Sequence, residues 1–92
     1  MAPLRLGVIG CGQIARAIHL PVLRRIPEAR IVALAEPVDA SRAAAAALAP
    51  GATAYPDYRE LLNAGGLDAV VICAPPHLHA PSAIAADRKS VV

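Results

Sequence analysis

Gly10, Gly12, Ala15 and Glu36 are the residues whose types and spacing carry chemistry. The apolar run Leu4–Ile9 stops at Gly10, and a segment with helical spacing opens after Gly12. The order strand, tight turn, helix carries the pattern G-x-G-x-x-A. In a dinucleotide-binding turn each position has a task. Gly10 lets the chain leave the strand sharply. Gly12 leaves room for a pyrophosphate to approach the backbone. Ala15 is small enough for the helix to pack on the strand. Backbone N–H groups across Gly10, Cys11, Gly12, Gln13 and Ile14, with the positive end of the helix dipole, then face the phosphates. Glu36 closes a second apolar run, Ile31–Ala35, about 20 residues further on, where a carboxylate accepts hydrogen bonds from the adenosine ribose hydroxyls. The same charge opposes a 2′-phosphate. Pro37 supplies no cation there, and Arg42, one turn into the next helix, is the one that might compensate. The charge argument favours NAD, with NADP as the alternative.

A glycine-rich turn and an acid after the second strand also occur in S-adenosylmethionine-dependent methyltransferases. That reading wants a third glycine at position 14, where the chain has Ile14, and Ala15 suits the dinucleotide version better. A third reading is a nucleotide-binding fragment with no activity of its own. The remaining reactive side chains point to packing. Cys11 and Cys73 lack metal-ligand spacing and read as small apolar fillers at the ends of neighbouring strands. His19 reads as a packing or capping residue, His77 as an exposed loop residue, and Tyr55 and Tyr58 as packing residues.

The elements that must position these groups follow from periodicity. Ile14, Ile18, Val22 and Ile26 form an i, i+4 row on the helix after the turn, and Pro21 predicts a kink or a restart. Asp39 is placed to cap an alanine-rich helix over Ala40–Ala49, which Pro50-Gly51 ends. Ala52–Tyr55 reads as a short third strand. Asp57 and Glu60 have capping-box spacing before Leu61 and Leu62, and Gly65-Gly66 follows that helix. Ala69–Ala74 is apolar throughout, which predicts a strand covered on both faces. Pro75–Pro81 predicts an extended turn and then a helix starting at Pro81. The fold class is α/β: a Rossmann-type three-layer fold with a truncated parallel sheet of order 3-2-1-4, strands five and six missing. Strand four would then be an unpaired edge, prone to aggregation or dimerisation.

The chain has 92 residues, enough for one small domain. Its 57% hydrophobic content with 2% aromatic requires a core of Ala, Val, Ile and Leu. The net charge of +2, with scattered arginines, carries no nucleic-acid footprint. No apolar run has membrane-spanning length, and no signal-peptide core stands at the N-terminus, so a cytoplasmic location is expected. The last residues, Asp87–Val92, are out of keeping with the rest. Lys89 is the only lysine in an otherwise arginine-based sequence. This tail also spells one reading frame of a common sequencing adapter. The expected organisation is an incomplete dinucleotide-binding domain over residues 1–86 and a non-native tail over 87–92.

With these motifs placed, the sequence resembles the N-terminal domain of the Gfo/Idh/MocA family, which includes glucose–fructose oxidoreductase and inositol dehydrogenase. The resemblance spans residues 4–86. It is carried by Leu6-Gly7-Val8-Ile9-Gly10-Cys11-Gly12 and by the run Leu67–His79. The family turn commonly reads Thr-Pro-Asn-x-x-His; here Pro75 and His79 match, while Ala74 and Pro76 replace the Thr and Asn. The resemblance implies that Ala74, Pro75 and His79 approach the cofactor from the end of strand four; His79 also reads as an N-cap or turn residue beside Pro81. It further implies an NAD(P)-dependent oxidoreductase with a separate substrate domain, a sugar or polyol substrate and a homo-oligomeric parent. Hydride transfer in the family is assisted by a lysine in a Glu-Lys-Pro motif. Residues 4–86 hold no such lysine, so a chain inactive by itself is expected.

Overall fold

The computed structural model describes residues 3–13, 15–74 and 81–86. Four parallel strands form one sheet: β1 (Leu4–Ile9), β2 (Ala29–Ala35), β3 (Thr53–Tyr55) and β4 (Ala69–Ile72), in the order β3-β2-β1-β4. This is the expected Rossmann-type order. Between the strands run α1 (Leu20–Arg24), α2 (Asp39–Leu48) and α3 (Tyr58–Ala64), and residues 81–86 are helical.

Successive strand side chains point to opposite faces, so the sheet separates two cores. Val8 and Leu34 belong to one, with Cys11, Leu20, Ile31, Ala45 and Ala49. Their strand neighbours Ile9, Ala33 and Ala35 belong to the other, with Leu61 and Leu62 of α3 and Ala86. Within the buried part of β2 the larger side chains, Ile31 and Leu34, face α1 and α2, while Ala33 and Ala35 face α3. The small Ala45 is the only fully buried residue of α2, which lets that helix lie close to the sheet.

Several expectations are corrected. The row Ile18, Val22, Ile26 does not face the core: Ile18 and Val22 are each 54% exposed and Ile26 is 38% exposed. The cause is a π-helical stretch, Ala15–His19, that runs into α1. A π-turn adds a residue to each turn, so the buried face steps from Ala15 to Leu20 and the i, i+4 row rotates outward. Pro21, which has no N–H for an α-helical bond, stands just beyond this stretch and inside the new helix, so the expected kink takes this form. His19 is exposed rather than packed; it stands at the N-cap position of α1 but makes no side-chain cap bond. Asp39 is the first helical residue of α2 rather than its cap, a position taken by Val38. Asp57 does cap α3, but its side chain accepts from the Arg59 N–H, while the Glu60 N–H donates to the Asp57 carbonyl. β4 is the edge strand that the 3-2-1-4 order implies, but its residues are all half-buried rather than fully covered on both faces.

Pairing of β1 with β2 is irregular between Leu6 and Gly7: Leu6 pairs with Ile31 but Gly7 with Ala33. The extra residue in β2 is a β-bulge, and it sets the register beyond it. Ile9 then pairs with Ala35, and the Gly10 N–H donates to the Ala35 carbonyl at 2.9 Å. Glu36 therefore arrives beside the glycine turn.

Candidate functional site

At the C-terminal ends of β1, β2 and β3 the chain leaves an open cleft of about 830 Å³. Crevices at this edge are where open α/β sheets bind ligands. Gly10, Gly12 and Gln13 line one side, Glu36, Val38 and Ser41 another, and Pro56–Arg59 a third, with Cys73 and Ala74 at the β4 end. Of the residues singled out from the sequence, Gly10, Gly12, Gln13, Glu36 and Ala74 are thus brought together. Ile14, Pro75 and His79 lie outside the described residues.

The two glycines occupy different surroundings. Gly10 has φ +87°, and a Cβ there would stand 2.5 Å from the Ala74 nitrogen. A side chain is excluded by conformation and by space. At Gly12 a Cβ would meet nothing within 4 Å, and the residue is exposed on the cleft wall. The Arg16 N–H donates to the Gly12 carbonyl at 3.0 Å, so the helical path begins here, where the first N–H groups of a helix lack internal partners.

Glu36 is 8% exposed yet carries a carboxylate. Its Oε1 accepts from the Cys11 N–H and its Oε2 from the Val38 N–H, both at 2.9 Å. A buried carboxylate needs such donors to offset desolvation. Here the donors come from the glycine turn and from the start of α2, so one side chain ties β1, β2 and α2 together. A carboxylate has about four lone-pair positions, and the two not used in this way remain for an incoming donor. The Glu36 N–H donates to the Tyr55 carbonyl at 3.0 Å, fixing β3 to the same point.

Arg42 lies beside this group. Its Nη1 donates to the Glu36 carbonyl at 3.0 Å, and its Nη2 pairs with Asp39 Oδ1 at 2.6 Å. On the β3 side, Arg59 pairs with Asp57 at 2.6 Å and lies 5.9 Å from the Tyr58 ring centre. The Arg59 guanidinium, through its hydrogen bonds, holds the Asp57 carboxyl below its ordinary value of 3.8.

Cys11 contributes a backbone N–H to this corner, while its side chain is fully buried in the α1/α2-side core. Burial foremost, then the charge of Glu36, pushes the thiol up to about 12. Cys73 packs against the same core, and burial raises its thiol as well. Both are free cysteines and, in these surroundings, poor nucleophiles. Among the described residues no cluster of three or more metal-ligating side chains occurs, and no helix is long and apolar enough to cross a membrane.

The sequence reading missed the wall formed by Asp57, Tyr58 and Arg59, seen there only as a cap and a packing residue. Tyr58 does pack on the α3-side core, but it also faces the cleft. The available signal was topological. In a parallel sheet of order 3-2-1-4, the loop after β3 emerges at the same edge as the glycine turn.

Known proteins share this fold. A family model described as an oxidoreductase family with an NAD-binding Rossmann fold, GFO_IDH_MocA, matches residues 4–91. An inositol 2-dehydrogenase from Leifsonia xyli subsp. xyli is 45% identical over 76 residues, covering 83% of this chain and 22% of the relative. The 3-ketoreductase KijD10 from Actinomadura kijaniata, crystallised with TDP-benzene and NADP, superposes with a TM-score of 0.87 at 31% identity, covering 97% of this chain and 28% of the other. The WlbA dehydrogenase from Bordetella pertussis, in complex with NADH and UDP-GlcNAcA, gives 0.87 at 27% identity over 97% of this chain and 27% of that one. The chain thus spans about a quarter of the length of these relatives. These matches set the methyltransferase alternative aside.

Proposed function

The chain belongs to the Gfo/Idh/MocA oxidoreductase family, with its NAD-binding Rossmann fold, and on that premise we propose that its cleft holds the adenosine diphosphate half of NAD. The observation that carries this is the bond between Glu36 and the Cys11 N–H, which puts the acid and the glycine turn at one place. The diphosphate lies over Gly12 and the N–H groups of Gln13 and Ile14, with Gly10 and Cys11 holding the bend beneath it. The adenosine ribose sits at Glu36, whose free lone pairs accept from its 2′- and 3′-hydroxyls. Ala74, Pro75 and His79 approach from the β4 end.

The carboxylate also supports NAD over NADP. Two like charges 4 Å apart near a protein surface repel by about 4 kcal/mol, and a 2′-phosphate at Glu36 would meet that repulsion.

When bound, the nicotinamide ring accepts or gives a hydride. The residues described here bind and orient; none is placed to take the proton that must leave a hydroxyl as hydride leaves carbon. For the parent's reaction, hydride exchange with a sugar- or polyol-like substrate, we assign that proton to the lysine and the separate substrate domain that the family resemblance implies. The parent is proposed to be a homo-oligomer of the cytoplasm.

Titration of the full-length gene product with NADH, followed by fluorescence, tests the reading. Saturable binding that NAD competes away supports it, and no binding would overturn it. Oxidation of a polyol panel by the 92-residue chain tests the division of labour. No turnover is expected, and a measurable rate would contradict it.

A further inference from the structure

The end of β2 shows how a 2′-phosphorylated dinucleotide is turned away. We propose that Asp39, a residue that does not line the cleft, is a specificity-determining residue: it biases the Arg42 guanidinium toward the Glu36 carbonyl and away from a 2′-phosphate. The proposal rests on the reading that the adenosine ribose sits at Glu36.

Three observations carry it. First, the Glu36 carboxylate is pinned. Both oxygens accept from backbone N–H groups at 2.9 Å, and the residue is buried. Swinging it aside for a phosphate would break both bonds and leave the buried Cys11 N–H without a partner. The carboxylate left facing the cleft is acceptor-only, so it suits a pair of hydroxyls and offers a phosphate nothing.

Second, a cation is present but committed. Arg42 is close enough to the end of β2 for its Nη1 to reach the Glu36 carbonyl, and its Nη2 is held by Asp39 Oδ1 at 2.6 Å. Guanidinium groups recognise phosphate well through paired N–H donors, but only when those donors are free to face it. Arg59, the arginine that lines the cleft itself, is bound by Asp57 on the opposite wall.

Third, Asp39 stands outside the core. Its side chain is 92% exposed, and it does not cap α2. An exposed ion pair of this type adds little stability. Its consequence is where the guanidinium points.

The test compares NADH and NADPH affinities in the full-length gene product and in three variants: Asp39→Ala, Arg42→Ala and the double variant. Wild type should favour NADH strongly. Asp39→Ala should bind NADPH about tenfold more tightly, as expected for one charge-assisted phosphate contact, with NADH affinity changed by less than about twofold. The gain should shrink as salt rises and vanish in the double variant. A wild type that binds both cofactors equally overturns the proposal and leaves the cleft reading intact. So does an Asp39→Ala variant with no NADPH gain, or a gain that survives loss of Arg42. A wild type that binds neither cofactor overturns the cleft reading, and the proposal with it. Unchanged melting temperatures confirm that the exposed substitution leaves the fold alone.

Discussion

The inner and outer halves of the glycine turn lie two residues apart and obey different constraints. At Gly10 a Cβ would press against the backbone of Cys73 and Ala74, and the positive φ independently disfavours any other residue. At Gly12 a Cβ would project into open space. The inner glycine is therefore required by the protein itself, because β1 and β4 converge on it. Among the described residues nothing occupies the space that a side chain at the outer one would fill. That open space is where the proposed diphosphate would lie. A glycine that the fold does not need is better evidence for a ligand than one that it does.

This contrast can be broken by experiment, and the largest effect is expected at the inner half. Gly10→Ala should destabilise the domain by about 3 kcal/mol or more, from positive-φ strain plus the clash. A small domain has only about 5–15 kcal/mol in total, so loss of a cooperative thermal transition is expected. A Gly10→Ala protein that melts like wild type would remove the structural half of the contrast.

At the outer half, Gly12→Val should leave the melting temperature within about 2 °C but weaken NADH binding roughly 100-fold, about 2.7 kcal/mol. Unchanged affinity in a stable Gly12→Val protein would show that the open space is not the phosphate site.

Glu36 joins the two halves, and its replacement sharpens the comparison. In Glu36→Gln the amide oxygen can accept from only one side, and the NH2 group must face the other backbone donor. Stability should fall by about 1–3 kcal/mol, the cost of a buried donor left unpaired. NADH affinity should fall as well. Denaturant melts and NADH titrations of the same variant measure both, and loss of only one would assign Glu36 to one half alone.

The smallest effect concerns the floor of the turn. Folding raises the Cys11 thiol from its ordinary 9.0 to about 12, so the folded state binds that proton more tightly than the unfolded state. The resulting stabilisation is complete below pH 9 and is lost as pH rises from there through 12. Denaturant midpoints between pH 8 and 12 should decline less steeply in Cys11→Ala than in wild type. In the native state a thiol reagent should modify Cys73, on the cleft wall, before the fully buried Cys11.

Much of this was legible in the residues themselves. The glycine turn, the acid at Glu36, the four strands and their order follow from short runs whose chemistry is local. An apolar stretch ending at glycine allows few backbones, and alternating strand and helix patterns allow few sheets. The helix after the turn was misread for an equally local reason. The row Ile18, Val22, Ile26 assumes α-helical spacing, and the π-turn before Leu20 rotates it away from the core. Periodicity gives a face only if the pitch is known.

Other features were decided by tertiary structure alone. The pinning of Glu36 depends on a bulge in β2 that sets which backbone N–H meets it, and the wall at Asp57–Arg59 depends on where β3 ends. The commitment of Arg42 depends on a carbonyl six residues away as well as on Asp39. The sequence determined that a bare turn and an acid would share one edge of a parallel sheet, since residue type and strand order suffice for that. Which hydrogen bond each group has already spent was left to the folded chain, because backbone donors carry no residue identity and reveal their partners only through register.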